Sequence, residues 1–420
     1  MNAVLQASKG KLYGGKAKRD AVARFGGQTR RLWNHFLGES IERYKSEKKF
    51  VFYSEMSAQL PELLKTDPKL AGLPHRAAQM TVQKLDRSLR DCFKGAANRK
   101  GFPKFKRRDD RSDAFSFVAR ECRFEPGRVR LPKIGWLRVR GLSLPEGVDL
   151  GAKPVTISQE PDGWHVAVQF EAPPKDYGTP RSPPVGVDAG VRKRDFDDRT
   201  IATLEDGRRI VAPQWVENAE ERVRVLNRRL ARKRKGSVNR RRTAVRLARA
   251  HRRVRNRRMN FLHKTTTKLV RRYAGFRVEN LSLKGLVRTR LAKSFASAAL
   301  GELNRQLAYK AEWADRDWRV MPRYERSTGV CPDCGLIGPK LLLSVETWRC
   351  EGCGAEHDRD VAAAKVIGLR AVPQAMREPA GGTRRKRGSA VRGGVRAHAR
   401  ASHGGSPSNA DMRLKNALCQ

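Results

Sequence analysis

The sequence predicts an α/β chain of several domains, and three changes of texture along it are the grounds. Residues from about 16 to 100 repeat apolar side chains at helical spacing, and residues 114–171 alternate apolar and polar as strands do. From Val185 onward, short apolar strands alternate with long helical segments. A chain of 420 residues has room for two or three domains with cores of their own.

The clearest helix is "HRAAQMTVQKLDRSLRDCFK", where Ala78, Val82, Leu85, Leu89 and Phe93 form one apolar stripe while Arg76, Gln79, Gln83 and Arg90 point elsewhere. Gly101 and Pro103 in "GFPKFK" end the helical region. In "PVTISQEPDGWHVAVQF", Asp162-Gly163 marks a hairpin turn between two strands. A proline-rich joint, "EAPPKDYGTPRSPP", precedes "VGVDAG", a short buried strand, and "RTIATLEDGRRIVAP" reads as a hairpin turning at Asp206-Gly207. Between Arg222 and Arg272 stand 22 Lys or Arg and no acid. Leu247, Val254 and Phe261 recur every seven residues there, which predicts a helical hairpin broken near Gly236-Ser237. "GFRVENLSLKGL" reads as a further strand and "NRQLAYKAEWADRDW" as a helix. The composition after about residue 375 cannot bury a core and predicts a disordered basic tail.

An apolar share of 39% suffices for folded domains. Ninety Lys and Arg against 43 Asp and Glu leave a net charge of +47, which repels itself unless a polyanion neutralises it. Nucleic acid is therefore the expected partner. A membrane is the weaker candidate, because no long apolar segment and no lipidation signal is present. The opening residues carry no secretory signal, so the expected location is the cytoplasm. Of seven cysteines, four fall in two pairs and Cys92, Cys122 and Cys419 stand singly, which fits one metal site in a reducing compartment and not a disulfide framework.

Cys331-x2-Cys334 and, fifteen residues on, Cys350-x2-Cys353 can close four thiolates around Zn2+, with Gly335 and Gly354 permitting the tight knuckle turns. A site with four thiolate ligands is coordinatively full, so this zinc is expected to be structural. His357 lies beside the ribbon but is not needed as a ligand. Three acids invite a joint reading: Asp188 ends a strand, Glu279 ends another, and Asp360 opens an alanine-rich helix. Singly they read as a turn residue, an exposed strand end and a helix cap. Together, in a nucleic-acid-binding chain, they can form a carboxylate cluster for hard cations, two Mg2+ ions that activate water against a phosphodiester.

"VGVDAG", "FRVENLSLKGL", "TGVCPDCG…CEGCG" and "HDRDVAAAK", in that order, resemble the TnpB (OrfB) proteins of bacterial and archaeal insertion sequences, compact relatives of the type V CRISPR effectors. "GFPKFK", "NRQLAYKAEW" and the basic hairpin fit the same pattern, so the likeness covers roughly residues 15 to 375. The resemblance implies a wedge β-barrel (1–15 and 112–180) into which a helical recognition domain (16–111) is inserted. An RNase H-like RuvC nuclease (181–329 and 357–375) would follow, interrupted by the four-cysteine zinc ribbon (330–356), and then the tail (376–420). It implies Asp188, Glu279 and Asp360 as the catalytic, Mg2+-holding acids (or Mn2+-holding) and Cys331, Cys334, Cys350 and Cys353 as the zinc ligands.

The chain departs from the family pattern at Ala362, where an Asn is usual, and in a longer loop carrying Asp195, Asp197 and Asp198. Asp358 is a runner-up third ligand, two residues early and therefore turned off the face of Asp360. Lys104 and Lys106 can hold phosphates with Phe105 against a base, or "GFPKFK" can be an ordinary domain joint; both are expected in part. Gln79 and Gln83 can pair with adenine edges, or form a plain polar helix face.

The expected function is that of an RNA-guided DNA endonuclease of an insertion sequence. A guide RNA from the transposon end would pair with one strand of a double-stranded DNA target beside a short adjacent motif, in a bacterial or archaeal cytoplasm at the nucleoid. Hydrolysis would be Mg2+-dependent. The alternative is an RNA-guided DNA-binding repressor that no longer cuts. Such a protein is expected to have lost one of the acids, and all three are present here.

Overall fold

The structure is a computed structural model that describes residues 3–93, 101–108, 113–190, 192–193, 199–213, 215–280, 300–322, 325–339, 341–342 and 344–373. Asp195, Asp197 and Asp198, "LSLKGL" and the basic tail lie outside the described residues. No helix among those described is long and apolar enough to cross a membrane.

The chain forms two units, one built mainly from residues 12–139 and 154–159, the other from residues 3–11, 140–153 and 160–373. In the first, the helical texture resolves into α1 (Lys16–Glu47), α2 (Tyr53–Thr66) and α3 (His75–Phe93). Ala78, Val82, Leu85 and Leu89 are buried as the stripe in α3 predicts. Phe93 departs from it: at 38% exposure it lies on the rim, its ring against Phe50. Strands β2 (Ala114–Val118) and β6 (Pro154–Glu160) pair antiparallel, and β3 (Arg123–Glu125), β4 (Arg128–Leu131) and β5 (Gly135–Arg140) form an antiparallel meander. In the second unit β1 (Val4–Tyr13) runs antiparallel to β7 (Gly163–Ala172), from Val4 opposite Ala172 to Lys11 opposite His165.

The sheet that positions the acids belongs to the second unit. It comprises β8 (Val185–Asp188), β9 (Arg192–Lys193), β10 (Arg199–Leu204), β11 (Arg209–Ala212), β12 (Gly275–Glu279), β13 (Asp317–Met321) and β16 (Val372–Pro373). Their order is β11-β10-β8-β12-β13-β16, with β9 paired to β10. β10 runs antiparallel to both of its neighbours, β11 and β8, whereas β8, β12 and β13 run parallel. The buried strand residues Val185, Val187, Phe276, Val278 and Val320 share a core with Leu262, Leu269, Val270, Leu303 and Leu307. Those leucines and Val270 come from α5 (Val238–Arg272) and α6 (Leu300–Trp313).

The basic stretch forms the predicted helical hairpin, α4 (Trp215–Ala231) followed by α5. Gly236 takes the left-handed turn at φ 83° and the Ser237 hydroxyl caps α5 by accepting from the Arg240 N–H at 3.1 Å. The Arg240 guanidinium reaches back to the carbonyls of Leu230 and Lys233 and so closes the end of α4.

Candidate active site and metal centre

Asp188 and Glu279 end neighbouring parallel strands. The register pairs Val187 with Val278, so the two acids are the next position on each strand, about 4.8 Å apart in the backbone. Because side chains alternate along a strand, the acids face away from the core that Val187 and Val278 enter. On the acid-bearing face lies α7 (Arg359–Arg370), whose buried Ala362, Ala363, Ala364, Val366 and Ile367 cover it. The approach is close enough to demand glycine: a Cβ on Gly186 would stand 2.0 Å from the Ala364 carbonyl oxygen and 2.9 Å from the Gly368 nitrogen. Asp360 lies one helical turn before Ala364 and hence on the same side of α7. The fold thus brings two strand-borne acids and one helix-borne acid to one face of one sheet.

Burial raises the pKa of Glu279. Asp358, the runner-up ligand, is engaged elsewhere. It is the N-cap of α7, one oxygen accepting from the N–H groups of Asp360 and Val361 at 3.0 Å each, the other paired with Arg209 at 2.8 Å. Glu205, which the sequence reading missed, turns into the same junction. Its carboxylate accepts from the Gly186 N–H at 2.9 Å while its own N–H donates to the Gly186 carbonyl at 3.1 Å. Burial raises its pKa also. No local signal marks it, because its partner is nineteen residues earlier and the contact exists only once β10 pairs with β8.

Each cysteine pair forms a knuckle of one design. Gly335 donates to the Cys331 carbonyl at 3.0 Å and Gly354 to the Cys350 carbonyl at 2.9 Å, both glycines left-handed at φ 78° and 73°. The four sulfurs lie within 4.8 Å of one another, with 3.7 Å between Cys331 and Cys353 and 3.6 Å between Cys334 and Cys350. These separations are too long for disulfides and close to the roughly 3.8 Å edge of a tetrahedron with Zn–S bonds of about 2.3 Å. N–H groups of Cys353 and Gly352 draw the Cys350 thiol down to about 7, toward the thiolate that binds metal. The ribbon closes with β14 (Thr347–Arg349) antiparallel to β15 (Glu356–Asp358), and β15 runs directly into α7. His357 on β15 is buried opposite Trp348, its Nε2 3.3 Å from the Cys331 sulfur.

Lys104, Phe105 and Lys106 dock "GFPKFK" onto α1. The Trp33 indole N–H donates to the Lys104 carbonyl, and the Asn34 amide both donates to and accepts from the Lys106 backbone. The Lys106 ammonium lies 3.7 Å from the centre of the Trp33 ring, and burial draws its pKa down to about 8. Phe105 is 53% exposed. Gln79 accepts from Arg76 at 2.8 Å and Gln83 donates to the Tyr53 hydroxyl at 3.2 Å, so both amides have neighbours within the helices.

A curated relative from Streptomyces pristinaespiralis is 32% identical over 379 residues, covering 87% of this chain and 89% of its own; its name is "Putative RNA-guided DNA endonuclease". The chain belongs to the OrfB (TnpB) family. The OrfB family profile, described as "Probable transposase", matches residues 165–290, and that of the "Cas12f1-like, TNB domain" matches residues 301–367. An Escherichia coli relative, "Putative RNA-guided DNA endonuclease InsQ", is 29% identical over 86% of this chain and 91% of its own. Among solved structures, a Cas12f1–sgRNA–target DNA complex aligns with a TM-score of 0.48 at 12% identity, over 87% of this chain and 99% of that one. A CRISPR-Cas12f ternary complex aligns with a TM-score of 0.35 at 13% identity, over 84% of this chain and 81% of that one.

Proposed function

We propose that this OrfB-family chain is an RNA-guided DNA endonuclease whose catalytic acids are Asp188, Glu279 and Asp360. The observation that carries the reading is the gathering of these acids, 172 residues apart at the extremes, on one face of the β8–β12–α7 junction in a chain of charge +47. The sheet order supports an RNase H-like nuclease, with three antiparallel strands followed by two parallel ones. Hard carboxylate oxygens, one of them on a Glu279 whose pKa burial raises, suit Mg2+, and Asp188, Glu279 and Asp360 would hold it. Bound there, Mg2+ supplies an activated water and steadies the leaving oxygen of a phosphodiester.

Around that centre each residue has a separable task. Glu205 holds the Gly186 backbone two residues before Asp188, and Asp358 fixes the first turn of α7, which carries Asp360. The zinc ribbon, ending where α7 begins, sets the origin of that helix. The arginines of α4 and α5 grip phosphates of a guide RNA and of the DNA paired with it, reading shape and leaving sequence to base pairing. The wedge barrel and inserted recognition domain that the family implies are the natural assignment for the strands and helices before Tyr177. Such a protein works in the cytoplasm, on the chromosome.

The test is to purify the full chain with the RNA it retains, sequence that RNA, and challenge the complex with plasmids that carry or lack a match to the guide segment. One dominant RNA and match-dependent cutting are expected. Bulk ribosomal RNA, with no preference between plasmids, would leave only a zinc-stapled polycation.

A further inference from the structure

The hairpin of β10 and β11 turns polar side chains to the face that carries the acids. Ala202, Leu204 and Ile210 enter the core, so Thr203 and Arg209 stand on the other side of the sheet. Thr203 is paired with Asp188 on one neighbouring strand and with Arg209 on the other. Arg209 therefore shares a cross-strand row with Asp188, two strands away and about 10 Å off in the backbone.

The Arg209 guanidinium is committed to α7. It donates to one Asp358 oxygen at 2.8 Å, and the other Asp358 oxygen accepts from the Asp360 and Val361 N–H groups at 3.0 Å each. Strand β11, the cap and the first turn of the helix are thus one connected piece. This gives the sheet a further hold on α7. Gly186 meets the helix at Ala364 and Arg209 meets it at Asp358, with Asp360 between the two points. A contact along its length fixes how closely a helix lies on a sheet but lets it turn about its own axis. A second contact at its end removes that freedom. With both oxygens engaged, the Asp358 carboxylate is also kept from competing with Asp360, two residues on, for an ion. The pair is partly exposed, at 32% for Arg209 and 24% for Asp358, and an ion pair so placed contributes little to stability. Its effect is on direction.

We propose that Arg209 is a positioning residue of the metal centre: by holding Asp358 in its capping place it sets the rotation of α7, so that Asp360 and not Asp358 meets the ion. The inference rests on the reading above that Asp188, Glu279 and Asp360 hold Mg2+. Removing a group that orients a ligand from outside the coordination shell weakens metal binding by about 10–100-fold.

The experiment is thermal melting of the RNA-bound full chain over a series of Mg2+ concentrations, for wild type, Arg209→Met, Asp358→Asn and the double variant. Asp188→Ala supplies the part of the response owed to the RNA. Arg209→Met is expected to melt with wild type in EDTA and to need about 10–100-fold more Mg2+ for half of its stabilisation. The Mg2+ needed for half-maximal cleavage of a matched DNA rises by a similar factor, while affinity for that DNA is unchanged. Asp358→Asn keeps the cap, since asparagine caps a helix as aspartate does, but gives up the ion pair. It shifts the Mg2+ midpoint the same way, and adding Arg209→Met to it shifts the midpoint no further. Arg209→Gln takes the place of Arg209→Met should the latter melt early in EDTA.

Equal Mg2+ midpoints in wild type and the Arg209 variant, where Asp188→Ala does lower the response, overturn the positioning role and leave the metal centre standing. A wild-type response no greater than that of Asp188→Ala overturns the centre and the inference with it. An Arg209 effect that persists undiminished in Asp358→Asn, or one that appears as weaker DNA binding, means that the arginine meets the DNA itself and overturns the route through Asp358.

Discussion

Gly186 lies directly beneath the backbone of Ala364, so close that a Cβ at 186 would stand 2.0 Å from the Ala364 carbonyl oxygen. This contact joins the strand that ends in Asp188 to the helix that begins at Asp360. The atom in the way is backbone, so no side chain can rotate to relieve it. Gly186→Ala is therefore expected to cost about 3 kcal/mol, the upper end for overpacking, and to abolish cleavage. Gly190→Ala is the control: a Cβ there meets nothing within 4 Å, and a change within about 0.5 kcal/mol is expected. Denaturant titration of both variants measures the difference.

Glu279 gives a pH dependence whose sign follows from burial. Its pKa is raised above the ordinary 4.5, so the folded state holds the proton more tightly than the unfolded state does. The resulting penalty is absent below 4.5 and complete above the folded pKa. In EDTA, wild type is expected to lose stability relative to Glu279→Gln as pH rises through that window. Mg2+ at neutral pH restores stability to wild type and gives little to the variant. Thermal melts with and without Mg2+ across the acid range test it.

The zinc centre predicts a graded series. Cys334→Ser with Cys353→Ser takes bound zinc from one per chain to none by elemental analysis. His357→Ala keeps the metal but weakens it by about 10–100-fold, because a group against a ligand sulfur orients it without binding. Competition with a chromophoric chelator separates the two behaviours. Equal zinc affinity in wild type and His357→Ala would show that the histidine only fills space.

Lys310 is buried with no carboxylate on it among the described residues, its ammonium donating to the His263 carbonyl at 2.8 Å, Thr266 at 2.7 Å and Thr267 at 2.9 Å. Burial draws its pKa down to about 8. A base with a lowered folded pKa costs stability below that value and regains it as pH climbs toward the unfolded 10.5. Wild type is thus expected to gain stability relative to Lys310→Met between about pH 8 and 10. A parallel melting series for the two proteins reads this directly.

What the sequence disclosed and what it concealed follow from the range of the interactions involved. The α3 stripe, the Gly236-Ser237 break and both cysteine knuckles depend on residues within a turn of one another, and period and turn chemistry show them. Spacing also sets Asp358 apart from Asp360, since residues two apart on a helix face different ways, and Asp358 is the cap. Interactions set by tertiary packing were hidden. Lys106 looks like a free phosphate ligand until Trp33, 73 residues earlier, is placed beneath it. Glu205 looks like a turn acid until β8 lies beside β10.

The most direct measurement is Mg2+-dependent cleavage of a guide-matched DNA by the RNA-bound full chain and by Asp188→Ala, Glu279→Gln and Asp360→Asn, each first shown to retain RNA and zinc. If the three acids act as one centre, each variant loses at least about a thousandfold in rate while still binding target, and the double variants are no slower than the single ones. Cutting by Asp188→Ala at the wild-type rate would place the chemistry elsewhere in the chain.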